Sequence, residues 1–209
     1  MSESEAPAFD VTLGDRPFEV FARWLAHAIG DGVAGPHTIT LSTVDEEGRP
    51  DARTVLLREV WMPDGGAEPG AIGFATSSRS PKGLQLEKTP NAAVVSYWRE
   101  QHRQVRMRGR VEQAGYEAVA ADFNNRGPGF KAAAIVGHQS DPLPEDLDEL
   151  LSEARGRAQA NPAFVPDDWA VYRLIPDSIE FWQGQPGQAQ RRIRFLRIDA
   201  HWTASELIP

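Results

Sequence analysis

Two cations and three hydroxyls crowd into Ser77-Ser78-Arg79-Ser80-Pro81-Lys82-Gly83, between a strand-like run ending at Thr76 and a helical stretch over residues 83–88. Ser80 is an N-cap residue type, and Pro81 at the first helical position forfeits no amide bond. Free N–H groups at a helix start attract an anion, and Arg79 and Lys82 would add charge beside them. Gly83 would let backbone come close to a ligand. This chemistry is the holding of a phosphate or carboxylate, although a capped surface helix with two solvated cations would use the same residues. A second cationic run is Arg53-Thr54-Val55-Leu56-Leu57-Arg58. Alternation sets Val55 and Leu57 on one side and Thr54 and Leu56 on the other. An arginine at a strand end ordinarily makes a rim salt bridge. Placed by a hairpin beside the helix start, Arg53 could instead grip the same phosphate bidentately. A third run, Ile179-Glu180-Phe181-Trp182-Gln183-Gly184, precedes Arg191-Arg192-Ile193-Arg194. Trp182 is either core with its indole N–H satisfied or a platform for a flat ring.

The elements that must position these groups are short strands. Residues 1–14 read as a loose arm and 15–209 as a single domain. Asp15 as cap and Pro17 open a helix whose apolar face is Phe18, Phe21, Leu25, Ala28 and Ile29. Residues 38–43 form a strand, Asp45-Glu46-Glu47-Gly48 a hairpin turn, and 53–58 the return strand. A glycine- and proline-rich loop over 63–70 leads to a strand at 72–76. Residues 92–98 read as a buried strand, and 104–111 alternate arginine with apolar residues. Helices are predicted over 116–124 and 145–159, separated by a loop over 127–140. Strands return at 170–175, 178–181 and 191–196, with a short one near 206–208. This is a mainly β chain, a closed antiparallel barrel with helices at its rim.

The 209 residues, 41% hydrophobic and 25% charged, suffice for one domain with a full core. No apolar run reaches membrane-spanning length. The net charge of −8 argues against nucleic-acid binding. The absence of cysteine excludes disulfides, a thiol nucleophile and thiolate-held metal. His27, His37, His102, His138 and His201 share no ligand spacing, so no metal site is expected. The acidic start, Ser2-Glu3-Ser4-Glu5, lacks a signal-peptide pattern, and the expected location is cytoplasmic.

Taken together and in order, these runs resemble the pyridoxamine 5′-phosphate oxidase family of FMN-binding split β-barrels. The likeness covers nearly the whole chain from Phe18. It is carried by the opening helix, Arg53-Thr54-Val55-Leu56-Leu57-Arg58, Tyr97-Trp98 followed by Arg103-Gln104-Val105, Gln139-Ser140, Ile179-Glu180-Phe181-Trp182-Gln183-Gly184, and Trp202 followed by Glu206-Leu207-Ile208-Pro209. The resemblance implies a homodimer with FMN in clefts at the subunit interface. Residues 53–58, Ala75 and Thr76 would line the flavin, and Arg79 and Lys82 would hold its phosphate. Gln104, Gln139, Ser140, Trp182 and Arg192 would come from the partner subunit. The family's Ser-Arg-Lys phosphate loop stands here as Ser78-Arg79-Ser80-Pro81-Lys82. Those two extra residues leave the phosphate ligand open among Arg79, Ser80 and Lys82.

The substrate half departs from the family. Its Arg-Leu-His-Asp-Arg run is Gln188-Ala189-Gln190-Arg191-Arg192 here, and Asp122, Arg126 and Phe130 stand where it has tyrosine, arginine and serine. Arg58 replaces its lysine. The resemblance therefore implies an FMN-dependent oxidoreductase acting on a small molecule other than pyridoxine phosphate. Hydride would go to flavin N5, with dioxygen as reoxidant. The phenazine-biosynthesis flavin oxidases are similar too, which suggests a secondary-metabolic substrate. Three alternatives stand beside this reading: a pyridoxine/pyridoxamine phosphate oxidase with a divergent grip, a deazaflavin protein, and a non-catalytic flavin binder.

Overall fold

Pro17–Gly30 forms the first helix, α1, because Phe18, Phe21, Trp24, Leu25 and Ala28 recur on one face and are buried there. Its N-cap is Arg16, with no capping side-chain bond. The expected cap, Asp15, instead accepts a bond from the Thr12 amide. The computed structural model describes residues 7–63, 69–137, 139–184 and 189–209. Nine strands follow from there in one antiparallel sheet: β1 (Thr38–Val44), β2 (Pro50–Leu56), β3 (Glu59–Trp61), β4 (Ala71–Ser77), β5 (Asn91–Trp98), β6 (Arg103–Gln113), β7 (Trp169–Gln183), β8 (Arg191–Ile198) and β9 (His201–Glu206). The remaining helices are α2 (Pro81–Lys88), α3 (Tyr116–Asn124), α4 (Pro128–Val136) and α5 (Leu147–Ala160).

The sheet order is β2-β1-β5-β6-β7-β4-β3, with β8 and β9 branching from β7. Strands β2 and β3 sit at opposite ends of that order yet are adjacent in the chain, so the sheet curls until its edges nearly meet. At this seam the Leu57 amide bonds the His37 carbonyl and the Arg58 amide bonds the Gly73 carbonyl. The split comes from β7, whose residues 169–174 pair with β4 and whose residues 178–183 pair with β8. Pro176 lies between the two halves, opposite a register shift at Arg108/Gly109. A Cβ on Gly109 would lie 2.0 Å from the Ile175 carbonyl oxygen, so only glycine permits this approach.

Several expectations need correction. The two strands expected at 170–175 and 178–181 are one bent strand. Strand β5 is not buried but alternates, leaving Tyr97 53% exposed. The loop expected over 127–140 contains α4, started by Pro128. The final strand, β9, ends at Glu206, where the short strand was expected to begin. Nor is the arm loose over residues 7–14: Phe9 packs on the core and Val11 is buried. Asp10 accepts bonds from Trp24 Nε1 at 2.6 Å and from Arg103 at 3.1 Å. Arg103 also donates to the Ala8 carbonyl, and Gln183 to that of Pro7.

Candidate active site

A cleft of about 990 Å³ opens between the barrel seam and α4. One end is built by β4 and the start of α2. Ser80 caps α2, its Oγ accepting from the Gly83 amide at 3.3 Å. Pro81 starts the helix, and Lys82 turns into the cleft wall. Gly83 is needed not for a ligand but because a Cβ there would lie 2.4 Å from the Ser78 carbonyl oxygen. Lys82 is 6% exposed, and its Nζ donates to Gln139 at 2.7 Å, Thr76 at 3.3 Å and Ser80 at 3.4 Å. All three acceptors are neutral, and among the described residues no carboxylate forms an ion pair with it. Burial, and secondarily the Arg53 charge, pulls the Lys82 pKa below the ordinary lysine value, with Asp51 opposing. A buried ammonium satisfied only by neutral oxygens is a site short of one anion.

Arg53 on β2 lines the same end. Its Nη1 donates to Thr43 at 2.6 Å, and its Nη2 to Asp51 at 2.5 Å and Gln85 at 3.2 Å. Both terminal nitrogens are therefore engaged, and a bidentate grip on an anion requires Asp51 to give way. Asp51 carried no sequence signal as a site residue. Arg79 is exposed and lies outside this wall, so of Arg79, Ser80 and Lys82 only Lys82 presents charge to the cleft. Thr54, Val55, Leu56, Ala75 and Thr76 also line the cleft, whereas Leu57 is buried in the core.

The same cleft is also lined by Arg58, Arg126, Phe130 and Trp169. Asp122 on α3 lies behind them, accepting from Arg58 Nε at 2.9 Å and from Arg126 Nη2 at 3.0 Å. Arg126 lies over the Phe130 ring at 4.3 Å, and Phe130 meets Trp169 edge-to-face at 5.3 Å. Burial lowers the Arg126 pKa, with Asp122 opposing. Apolar residues of α4 and α5, including Ala133, Val136, Leu147 and Leu150, also line the cleft. Trp169 and the helical wall were missed; the only sequence sign was an aromatic at a strand start.

A second cleft, of about 430 Å³, lies elsewhere on the barrel, lined by Tyr97, Gln104, Arg106, Glu180, Trp182 and Arg192. Trp182 Nε1 donates to Gln190 at 2.8 Å, and Arg192 donates to Glu180 at 2.7 Å. Of the residues expected from a partner subunit, Gln104, Trp182 and Arg192 gather here. Gln139 and Ser140 instead line the first cleft of their own chain, with Gln139 already on Lys82. Gln190 is tied to Trp182, away from Arg58 and Arg126, and Gln188 lies outside the described residues.

Residues 25–150 match the family model described as pyridoxamine 5′-phosphate oxidase. Residues 169–209 match the pyridoxine 5′-phosphate oxidase C-terminal dimerisation region. The chain belongs to the pyridoxamine 5′-phosphate oxidase family. It is 37% identical over 213 aligned residues to the pyridoxine/pyridoxamine 5′-phosphate oxidase of Burkholderia mallei, covering 100% of this chain and 95% of that one. To the Legionella pneumophila protein of the same name it is 36% identical over 195 residues, covering 92% and 87%. Among solved structures, PhzG from Burkholderia lata, in complex with tetrahydrophenazine-1-carboxylic acid, superposes with a TM-score of 0.88 at 26% identity, covering 99% of this chain and all of that one. A pyridoxamine 5′-phosphate oxidase-related FMN-binding protein from Nostoc punctiforme shares the fold, with a TM-score of 0.75 at 19% identity over 95% of this chain and all of that one. This pyridoxamine-phosphate-oxidase-family protein is thus an FMN-dependent oxidoreductase built on a split barrel. The first cleft fits that cofactor at its one anion-deficient point, the Lys82 ammonium. Among the described residues no helix is long and apolar enough to cross a membrane, and no cluster of metal-ligating side chains occurs.

Proposed function

We propose that this protein oxidises a small ring substrate other than pyridoxine phosphate, in a homodimer whose two FMN sites lie at the interface. The observation that carries this reading is one cleft lined by two groups of cations. Lys82 and Arg53 form one group, and Arg58 and Arg126, which share Asp122, form the other, with Val55, Ala75 and Thr76 in the same wall. Lys82 takes the cofactor phosphate, with the start of α2 and Thr76 beside it. Ser80-Pro81-Lys82 then stands in for the family's phosphate loop with no inserted residues. When bound, FMN would supply two-electron redox chemistry, with the substrate as hydride donor and dioxygen as reoxidant. The protein's own residues orient and desolvate: Phe130 and Trp169 wall the substrate end, and Arg58 and Arg126 meet the substrate's anionic group. Trp182, Arg192 and Gln104, gathered on the second cleft, cover the flavin of the partner subunit. The cysteine-free chain suits the cytoplasm, and the likeness to PhzG supports a secondary-metabolic substrate.

The names of the 36–37% identical relatives favour a second reading, a pyridoxine/pyridoxamine 5′-phosphate oxidase with a rebuilt grip. Steady-state oxygen uptake separates the two. We expect turnover with pyridoxine phosphate and pyridoxamine phosphate to be weak, and turnover at rates ordinary for such oxidases would establish the second reading. Mass spectrometry of the released chromophore tests the cofactor, expected to be FMN and not a deazaflavin.

A further inference from the structure

Asp122 is saturated to a degree that packing alone does not require. Its Oδ1 accepts from Arg58 Nε at 2.9 Å and Arg126 Nη2 at 3.0 Å. Its Oδ2 accepts from Arg126 Nε at 3.2 Å and Trp169 Nε1 at 3.0 Å. The side chains of Asp122 and Arg126 are 9% and 11% exposed, whereas that of Arg58 is 32% exposed. One carboxylate thus lies behind two guanidiniums at the substrate end of the cleft.

We propose that Asp122 is a specificity-determining residue that makes this end select a singly charged carboxylate on a flat ring over a phosphate dianion. The proposal rests on reading this end of the cleft as the substrate site. Two guanidiniums and one carboxylate sum to a single positive charge. A monoanion neutralises that charge, whereas a dianion leaves excess negative charge beside Asp122, where burial keeps Coulomb repulsion from being screened as in water. Geometry acts in the same direction. The Nε–Nη2 edge of Arg126, which would otherwise fork onto a phosphate, is turned to Asp122. Arg126 is further clamped over Phe130 at 4.3 Å and Trp169 at 5.2 Å. Phe130, 40% exposed, offers its ring to a flat ligand, and Ala133, Val136 and Leu147 form apolar walls.

The test compares two probes with the same ring, 1-naphthoate and 1-naphthyl phosphate, by calorimetric titration of the purified protein. Flavin content is measured separately by absorbance. Wild-type protein is expected to prefer the carboxylate by about tenfold or more. In Asp122→Asn the phosphate should gain about tenfold to a hundredfold while the carboxylate, with half the charge, gains only about threefold to tenfold. Asp122→Glu, which keeps the charge, should retain the wild-type preference. A wild-type protein that binds the phosphate as tightly, or binds neither probe, overturns the proposal, as does a ratio unmoved in Asp122→Asn. If Asp122→Asn does not melt cooperatively, Arg58→Gln at the more exposed corner substitutes for it. Both probes should then weaken, and unchanged binding of the carboxylate overturns the proposal. Flavin-free protein that keeps the ratio would refute the cofactor assignment alone, whereas flavin-bearing protein without it refutes this proposal alone.

Discussion

Lys82 keeps a charge while buried in the cleft wall, and among the described residues no carboxylate forms an ion pair with it. On the proposed reading the phosphate of FMN would supply the missing anion, so we expect affinity to depend steeply on this side chain. Lys82→Ala with Arg53→Ala should release FMN, since each removes a charge-assisted bond worth about 1.5–3 kcal/mol. Dialysis followed by flavin absorbance reads the result. The depressed pKa fixes the sign of a pH effect. In the free protein Lys82 sheds its proton below the ordinary lysine range. Binding the dianion favours the charged form, so FMN affinity should fall as pH rises through the lowered value. A titration of flavin fluorescence against pH reads this, and the slope should vanish in Lys82→Met. At this scale the sequence was partly legible. The capped helix start at Pro81 with Lys82 beside it followed from local rules of capping and charge, which need no tertiary knowledge. Asp51 and Trp169 did not follow. They reach the cleft only because β2, β4 and β7 bring distant segments together, and their residue types are common on any surface or strand.

Among the elements, β6 was read correctly because its alternation survives on a half-buried sheet, with Val105, Met107 and Val111 inside and Arg106, Arg108 and Arg110 outside. Helix α4 was not, because Gly127-Pro128-Gly129 looks like a turn until one sees proline at the first helical position. The bend in β7 hid in Pro176, which punctuates sequence but here only marks the place where one strand changes partners. Gly109→Ala should test that bend. The added methyl meets backbone rather than a movable side chain, so we expect a loss of at least about 2 kcal/mol in denaturant unfolding. The docked segment before α1 offers another measurement. Burial raises the Asp10 pKa, but the Trp24 bond and the Arg103 and Arg23 charges outweigh it, leaving a net lowering. A carboxylate depressed in the fold contributes stability above its unfolded pKa and loses it as pH falls through the folded value. Residues 7–11 should therefore lose hydrogen-exchange protection in acid before the barrel does. Asp10→Asn should show weak protection at every pH.

For the whole molecule, the proposed homodimer would set the second cleft of one chain against the flavin site of the other. We expect light scattering to show a dimer, and dilution to monomer to release FMN in parallel. A monomer that retains flavin would contradict the shared site. Sequence alone could not show which of the expected contacts a single chain assembles for itself, because that depends on curvature. Gln139, assigned to the partner on family resemblance, already reaches Lys82 within its own chain.

The partner-switching strand also sets an order of events during synthesis. Strand β4, apolar along almost its whole length, has only the three-residue β3 beside it until Trp169–Gln183 has been made. A ribosome-bound chain ending near α5 therefore lacks the Tyr172 ring on which Phe74 stacks in the finished fold. Contacts so distant in sequence form slowly and late. Newly made protein should accordingly depend on chaperones until its last quarter emerges, and stalled fragments ending before β7 should aggregate where the finished chain does not.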